Sequence, residues 1–309
     1  YTDVLFTLSG WTEGPRTFRW DGQQLTDTGL RPRIVAAGLP EIAVTELLAP
    51  SHDGTLVPMT VLHRKGLVLD GKNPTLLRGY GAYGYSETAY YSPETLVWIE
   101  QGGVMVHANV RGSGVYGRDW YQAGFKTTKS NTWKDGIACA RALIAQGYAS
   151  PQTLAISGGS AGGIFAGRAI TAAPELFAAA IIQVGMLDAI RSEESANGIT
   201  NISEFGTVKH PLEFAALLEM STYHQIQDGV AYPAVMLVHG MNDPRVDVWN
   251  SGKVAARLQA ANKSSKPTLL RLDLQAGHGM GSTTTQRRSE SADAFAFLLW
   301  QMGRANRRN

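Results

Sequence analysis

The chain has 309 residues, 44% of them hydrophobic, which is enough to bury a full core and excludes a disordered polymer. Lysine and arginine total 28 against 26 aspartate and glutamate, so the formal charge of +2 offers no field that would gather nucleic acid or an anionic membrane. A single cysteine, Cys139, excludes an internal disulfide scaffold, and no run reaches the roughly 18 consecutive apolar residues of a membrane-spanning helix. No signal-peptide layout opens the chain, so a soluble protein, cytoplasmic or periplasmic, is expected. It starts at Tyr1 and not at methionine, which points to a segment upstream.

Residues 1–40 alternate in short runs, Val4-Leu5-Phe6-Thr7-Leu8 and Thr17-Phe18-Arg19-Trp20, broken by Gly10, Gly14-Pro15 and Asp21-Gly22. Alternation punctuated by turn residues predicts β-strands joined as hairpins. The pattern changes near Leu39-Pro40. Across residues 41–309, short β-rich runs lie between longer helical periodicities, which predicts an α/β domain whose mostly parallel sheet carries helices on both faces. Strands are predicted over residues 56–62, 75–78, 104–110, 153–157, 179–184, 234–238 and 268–274. Ser92-Pro93-Glu94 reads as a helix start: a capping hydroxyl, a proline whose φ suits the first turn, and an acid at the positive end of the dipole. Further helices are predicted over 133–146, stopped by Gly147, and over 164–172, 251–261 and 287–302. The basic residues beyond 302 are expected to form a solvated tail.

The strand 153–157 leads into Gly158-Gly159-Ser160-Ala161-Gly162-Gly163 and then into a helix. Strand, tight turn and helix form the setting in which a nucleophile elbow lifts a serine above a sheet. Glycine at 158 and 162 suits such a turn, because strand and helix approach too closely there for β-carbons. The competing reading of the run alone is a glycine-rich βα turn with an incidental serine. Its partners decide between the two, since hydrolases of this architecture order serine, acid and histidine, each just past a strand. Asp243 follows strand 234–238 in His239-Gly240-Met241-Asn242-Asp243, and His278 follows strand 268–274 in Gln275-Ala276-Gly277-His278-Gly279. His239 lies on the same turn as Asp243 and is expected to bond locally, and His107 sits mid-strand in the core. His52, His63, His210 and His224 have neither a glycine-framed loop nor a paired acid in the required order.

Serine is a weak nucleophile until a base removes its proton during attack, and the imidazolium so formed needs a fixed carboxylate. The catalytic candidates are therefore Ser160 as nucleophile, His278 as base and Asp243 as the acid that orients it, in an α/β-hydrolase fold. The tetrahedral oxyanion needs preorganised donors. One is the backbone N–H of Ala161, and a second is expected from the loop Gly79-Tyr80-Gly81-Ala82-Tyr83-Gly84. This chemistry requires no metal and no organic cofactor.

From about Glu41 onward the chain resembles the prolyl oligopeptidase family of serine peptidases, including its oligopeptidase B branch. The resemblance rests on Ser51-His52-Asp53-Gly54-Thr55-Leu56-Val57-Pro58-Met59, on Arg78-Gly79-Tyr80-Gly81-Ala82-Tyr83-Gly84, and on Ala108-Asn109-Val110-Arg111-Gly112-Ser113-Gly114 with Tyr116-Gly117-Arg118-Asp119-Trp120. The elbow, Asp243-Pro244-Arg245-Val246 and Ala276-Gly277-His278-Gly279 complete it. It implies a short peptide as substrate, the Tyr80 hydroxyl as second oxyanion donor, Arg245 as anchor of a substrate carbonyl, and Tyr83 as a further substrate-binding residue. Residues 198–206 look like the family's specificity segment, but Asn201 stands where post-proline cleavers place a stacking tryptophan. Strict proline preference is therefore not expected, and Glu204 is a candidate for favouring a basic side chain before the scissile bond or is a solvated acid. Residues 1–40 resemble the last strands of the family's propeller domain, most of which this chain lacks. Without that cap, exclusion of large substrates is not expected.

Three other readings compete. Gly112-Ser113-Gly114-Val115-Tyr116-Gly117 fits the G-x-G-x-x-G dinucleotide pattern after a strand, but residues 118–124 do not read as a helix, and Asp135 falls inside a helix and not at a strand end. A non-catalytic binding module on the same fold conflicts with an intact triad. An esterase acting on short acyl esters would use the same acyl-enzyme chemistry, and the elbow does not separate it from a peptidase.

Overall fold

The computed structural model describes residues 3–32, 40–279 and 282–304. Leu39, on the expected segment boundary, and the basic tail from residue 305 onward lie outside the described residues.

The N-terminal segment forms an antiparallel sheet of β1 (Val4–Leu8), β2 (Arg16–Trp20) and β3 (Leu25–Asp27), as its alternation predicts. Trp11, in the turn between β1 and β2, packs its indole 4.5 Å from the His107 ring and 5.8 Å from that of Tyr90. The second sheet has eight strands: β4 (Ile42–Pro50), β5 (Leu56–Arg64), β6 (Thr75–Gly79), β7 (Val104–Ala108), β8 (Leu154–Gly159), β9 (Ala179–Gln183), β10 (Ala234–Gly240) and β11 (Thr268–Asp273). Their order is β11-β10-β9-β8-β6-β7-β5-β4. From β7 to β11 the pairings are parallel, and β5 and β4 close one edge antiparallel.

The helices are α1 (Pro93–Glu100), α2 (Arg118–Gln122), α3 (Ser130–Ala145), α4 (Gly162–Ala172), α5 (Gly198–Phe205), α6 (Pro211–Met220), α7 (Thr222–Gln225), α8 (Trp249–Ala261) and α9 (Thr284–Gln301). Successive strand side chains point to opposite faces, so each buried strand feeds two cores. Leu77, Ile156, Ile182, Val235 and Leu237 meet α3, α4 and α8 on one face. Leu76, Ala155, Ile181, Ala234, Met236 and Val238 meet Trp98 and Ile99 of α1 and Phe297 and Leu298 of α9 on the other. Burial on both faces is why these strands read as continuous apolar runs. Ser92 caps α1 as its sequence predicts, accepting from the Thr95 amide at 3.3 Å. Cys139 is fully buried in the α3 face of the core. Among the described residues no helix is long and apolar enough to cross a membrane.

Several local outcomes differ from the sequence reading, in which helices α5, α6 and α7 are absent. Strand β4 is absent from that reading, because as an edge strand it leaves Val44 and Leu48 exposed and carries Glu46, whose carboxylate accepts from Thr60 of β5 at 2.8 and 2.9 Å. The dinucleotide-like glycine run is followed by a helix after all, but α2 is a five-residue turn with a glycine N-cap and no side-chain cap.

A buried ion pair anchors the loop after β7. Arg111 grips Asp135 of α3 in a fork, Nε to Oδ2 at 2.9 Å and Nη2 to Oδ1 at 2.6 Å, while its own amide also donates to Oδ2. Asp135 is fully buried and takes a further bond from Ser51 at 2.6 Å. Removing the guanidinium would leave that carboxylate without its counter-ion. Arg111→Met is accordingly expected to destabilise the chain by about 3 to 5 kcal/mol in urea denaturation; a loss below about 1 kcal/mol would mean that the pair is dispensable.

Candidate active site

The C-terminal ends of β8, β10 and β11 lie on one edge of the sheet, and the turns that leave them carry the site. After β8 the chain reverses into α4 within a few residues, and Ser160 at the apex has φ 53°, a left-handed conformation that costs a β-carbon-bearing residue energy. A β-carbon at Gly158 would collide with the Gly162 carbonyl, and one at Gly162 would come 2.9 Å from the Gly79 oxygen and 3.3 Å from Tyr80 Cα. The two glycines thus admit both the tight reversal and the close approach of the loop that follows β6. The apex is held by backbone bonds from the Ser160 amide to the Gln183 carbonyl and from the Met186 amide to the Ser160 carbonyl, each 2.9 Å.

His278 Nε2 lies 3.0 Å from Ser160 Oγ, and His278 Nδ1 lies 2.6 Å from Asp243 Oδ2. Asp243 is held on its other oxygen by the amides of Arg245 at 2.8 Å and Val246 at 3.0 Å. His239, fully buried, presents Nε2 to the Val246 carbonyl at 2.9 Å and to Asp243 Oδ2 at 3.3 Å, and its Nδ1 meets Ser251 Oγ at 2.7 Å. It therefore bonds within its own turn, as expected, and also touches the acid. Burial opposes ionisation of Asp243, but hydrogen bonds from His239, His278 and the two amides outweigh it and hold the carboxyl well below the usual carboxylate range. The arrangement keeps a charged acceptor behind an imidazole that faces a hydroxyl, which suits proton removal from Ser160.

The Ala161 N–H, at the start of α4, has no backbone acceptor among the described residues and is free to meet a developing negative charge. Burial pushes the Tyr80 phenol up, with the neighbouring Ser160 side chain and the positive charge of Arg245 opposing the shift, so the hydroxyl stays protonated beside Ser160. A cleft of about 620 Å³ opens here, lined by Tyr80, Tyr83, Tyr85, Thr200, Asn201 and Arg245. Arg245 makes no ion pair among the described residues. The Tyr83 hydroxyl donates to Asn201 Oδ1 at 2.8 Å across the cleft.

Glu204 departs from the expectation of a solvated acid. It is 2% exposed, and its carboxylate is taken up by the Tyr83 amide at 3.0 Å, the Tyr121 hydroxyl at 2.5 Å and Lys129 Nζ at 3.2 Å. It is not a solvated acid, and its charge is already paired with Lys129. Lys129, 1% exposed, escapes the sequence reading. Nothing in the local pattern marks a lysine just ahead of a helix as buried, and its partners are far along the chain. Burial lowers its pKa to about 8, with Glu204 opposing the shift.

The electrostatics of Asp243 bear on stability. A carboxyl whose folded pKa lies below its ordinary value of 3.8 contributes fully above that pH and loses the contribution as pH falls through the folded value. Asp243→Asn is therefore expected to be less stable than the native chain at neutral pH, with the gap closing progressively below about pH 3.8 in stepped-pH urea titrations. A gap that stayed constant would show that the carboxylate draws no such support.

Comparison with known proteins places this geometry among relatives. The chain is 38% identical over 304 residues to a prolyl endopeptidase of Elizabethkingia meningoseptica, covering 97% of this chain and 43% of that protein. It is 33% identical over 261 residues to protease 2 of Moraxella lacunata, covering 84% of this chain and 38% of that protein. The chain thus spans less than half the length of these relatives. Among solved structures, a prolyl endopeptidase superposes with a TM-score of 0.93 at 34% identity, covering 98% of this chain and 45% of the other. Oligopeptidase B from Leishmania major superposes with a TM-score of 0.93 at 26% identity, covering 100% of this chain and 43% of the other. These neighbours have the α/β-hydrolase fold, which the eight-stranded sheet shares. Since the family model matches residues 89–305, most of the chain, this protein belongs to the prolyl oligopeptidase family.

Proposed function

We propose that this chain is the catalytic part of a serine peptidase that cleaves short peptides through an acyl-enzyme. The observation that carries the reading is the unbroken run of contacts from Ser160 Oγ to His278 Nε2 at 3.0 Å and from His278 Nδ1 to Asp243 Oδ2 at 2.6 Å. In this reading Ser160 Oγ attacks the scissile carbonyl as His278 takes its proton. The oxyanion is met by the Ala161 N–H and the Tyr80 hydroxyl, and the imidazolium, steadied by Asp243, returns the proton to the departing amine. Water activated by His278 then releases the acyl group. Arg245, beside Tyr80 and without an ion pair among the described residues, is positioned to hold a substrate carbonyl. The strands of residues 1–40 are read as the end of a propeller that precedes the catalytic domain, in keeping with relatives more than twice as long.

The decisive test sets chromogenic short peptides against short-chain esters. Ser160→Ala and His278→Ala are each expected to lower peptide kcat by at least about 10³-fold, and labelling by a fluorophosphonate is expected to vanish in Ser160→Ala. Near-full turnover in His278→Ala would remove the assigned base, and faster turnover of esters than of every peptide would turn the reading to an esterase.

The cleft supports a second statement about selectivity. Asn201 and the Tyr83 hydroxyl form a polar pair where a flat aromatic surface would be needed to stack on a pyrrolidine ring. Cleavage of a peptide library is expected to show no more than about a threefold preference for proline before the scissile bond, a difference of under 1 kcal/mol; strong post-proline cleavage would overturn this.

A further inference from the structure

The loop that bears Tyr80 is unusually constrained and mostly buried. Gly81 has φ +71° and a β-carbon there would strike Thr132, while Tyr83 has φ 56° without being glycine. A loop in such a conformation persists only where its surroundings over-determine it; here the Thr132 hydroxyl donates to the Gly81 carbonyl at 3.3 Å, the Gly84 amide donates to the Gly112 carbonyl at 3.1 Å, and two buried charged side chains complete the hold. Lys129 Nζ donates to the Gly81 carbonyl at 2.9 Å, and Glu204 Oε1 accepts from the Tyr83 amide at 3.0 Å. The two groups meet each other at 3.2 Å, and the second Glu204 oxygen is taken by Tyr121. Below them the Phe205 ring lies 5.2 Å from Lys129 Nζ and edge-on to Tyr83 at 5.6 Å.

Stability alone does not account for a lysine and a glutamate in this place. Taking both charges out of water carries a large desolvation cost, and an apolar pair of like volume commonly serves a fold as well or better. An apolar pair cannot offer an N–H to one carbonyl and a carboxylate to one amide on either side of Ala82. Those two grips fix the Gly81–Ala82 and Ala82–Tyr83 peptide planes, one residue beyond Tyr80. Glu204 belongs to α5, which also carries Asn201, so the same helix holds the loop at the Tyr83 amide and at the Tyr83 hydroxyl.

We infer that Lys129 and Glu204 are positioning residues for the oxyanion loop, holding the Tyr80 hydroxyl beside Ser160 through the Gly81 carbonyl and the Tyr83 amide. They do not touch the substrate. The inference rests on the reading of Tyr80 as an oxyanion donor, and the test separates the two.

The charge-balanced variant Lys129→Met/Glu204→Met is assayed in the full chain with a chromogenic short peptide, in the Tyr80 background and in the Tyr80→Phe background, with folding followed by circular dichroism. Loss of one oxyanion donor lowers kcat by about 10²- to 10³-fold, so a displaced donor is expected to cost about tenfold or more in kcat with KM changed by less than about threefold. In Tyr80→Phe, where no hydroxyl remains to be positioned, the same double substitution is expected to cost no more than about twofold, because residues acting through one group are not additive. Equal losses in both backgrounds, or no loss in the Tyr80 background, would overturn the inference while leaving the oxyanion reading intact. If Tyr80→Phe itself keeps full kcat, the oxyanion reading fails and the inference falls with it. Should the double variant not fold, Glu204→Gln is read by the same criterion: a loss confined to the Tyr80 background supports the inference, and any other result overturns it.

Discussion

The turn between β8 and α4 is the constraint on which the rest of the site depends. It must reverse the chain in so few residues that Ser160 is forced into a left-handed conformation, and it must do so against the loop from β6. Both demands are met by leaving β-carbons out at Gly158 and Gly162. The strain at the apex is balanced by backbone bonds to the β9 end and its following turn, so the hydroxyl is delivered to a fixed point above the sheet. Every other element of the site is arranged around that point.

A parallel sheet makes the arrangement possible, because all its strands end in the same direction. Turns leaving β8, β10 and β11 therefore open on one edge, and residues 160, 243 and 278 become neighbours although the chain separates them widely. The carboxylate of Asp243 is bound on one oxygen by its own turn and on the other by two imidazoles, which leaves little freedom for His278 to leave the line toward Ser160. Loops from β6 and β7 reach the same edge, and the Arg111–Asp135 pair ties the second of them to α3. The cleft beside it is built differently: its walls are tyrosines, asparagines, a threonine and an arginine, with charge compensation hidden beneath at Lys129 and Glu204.

Two glycine-rich turns in this chain show how far a motif carries. Residues 158–163 and 112–117 both come after a buried strand, and both match a known pattern. The first is continued by a helix of eleven residues with partners at the right strand ends; the second leads into a five-residue turn with no side-chain cap. What separates them is the context after the glycines, which the sequence already displays in part.

The helices and strands of the core are legible because burial on both faces writes long apolar runs, and the elbow, Asp243 and His278 are legible because their flanking glycines and strand ends are local features. The edge strand β4 escapes, since a strand that is half in water has a mixed composition. Glu204 reads wrongly and Lys129 goes unnoticed for a related reason: a charged residue looks the same in sequence whether it is solvated or buried. Only folding brings Lys129, Tyr83, Tyr121 and Glu204 together from four separate stretches and satisfies each charge by the others. Chemistry that depends on residue type and neighbouring backbone can be read along the chain, whereas the compensation of buried charge depends on contacts between distant segments and exists only once the fold has formed.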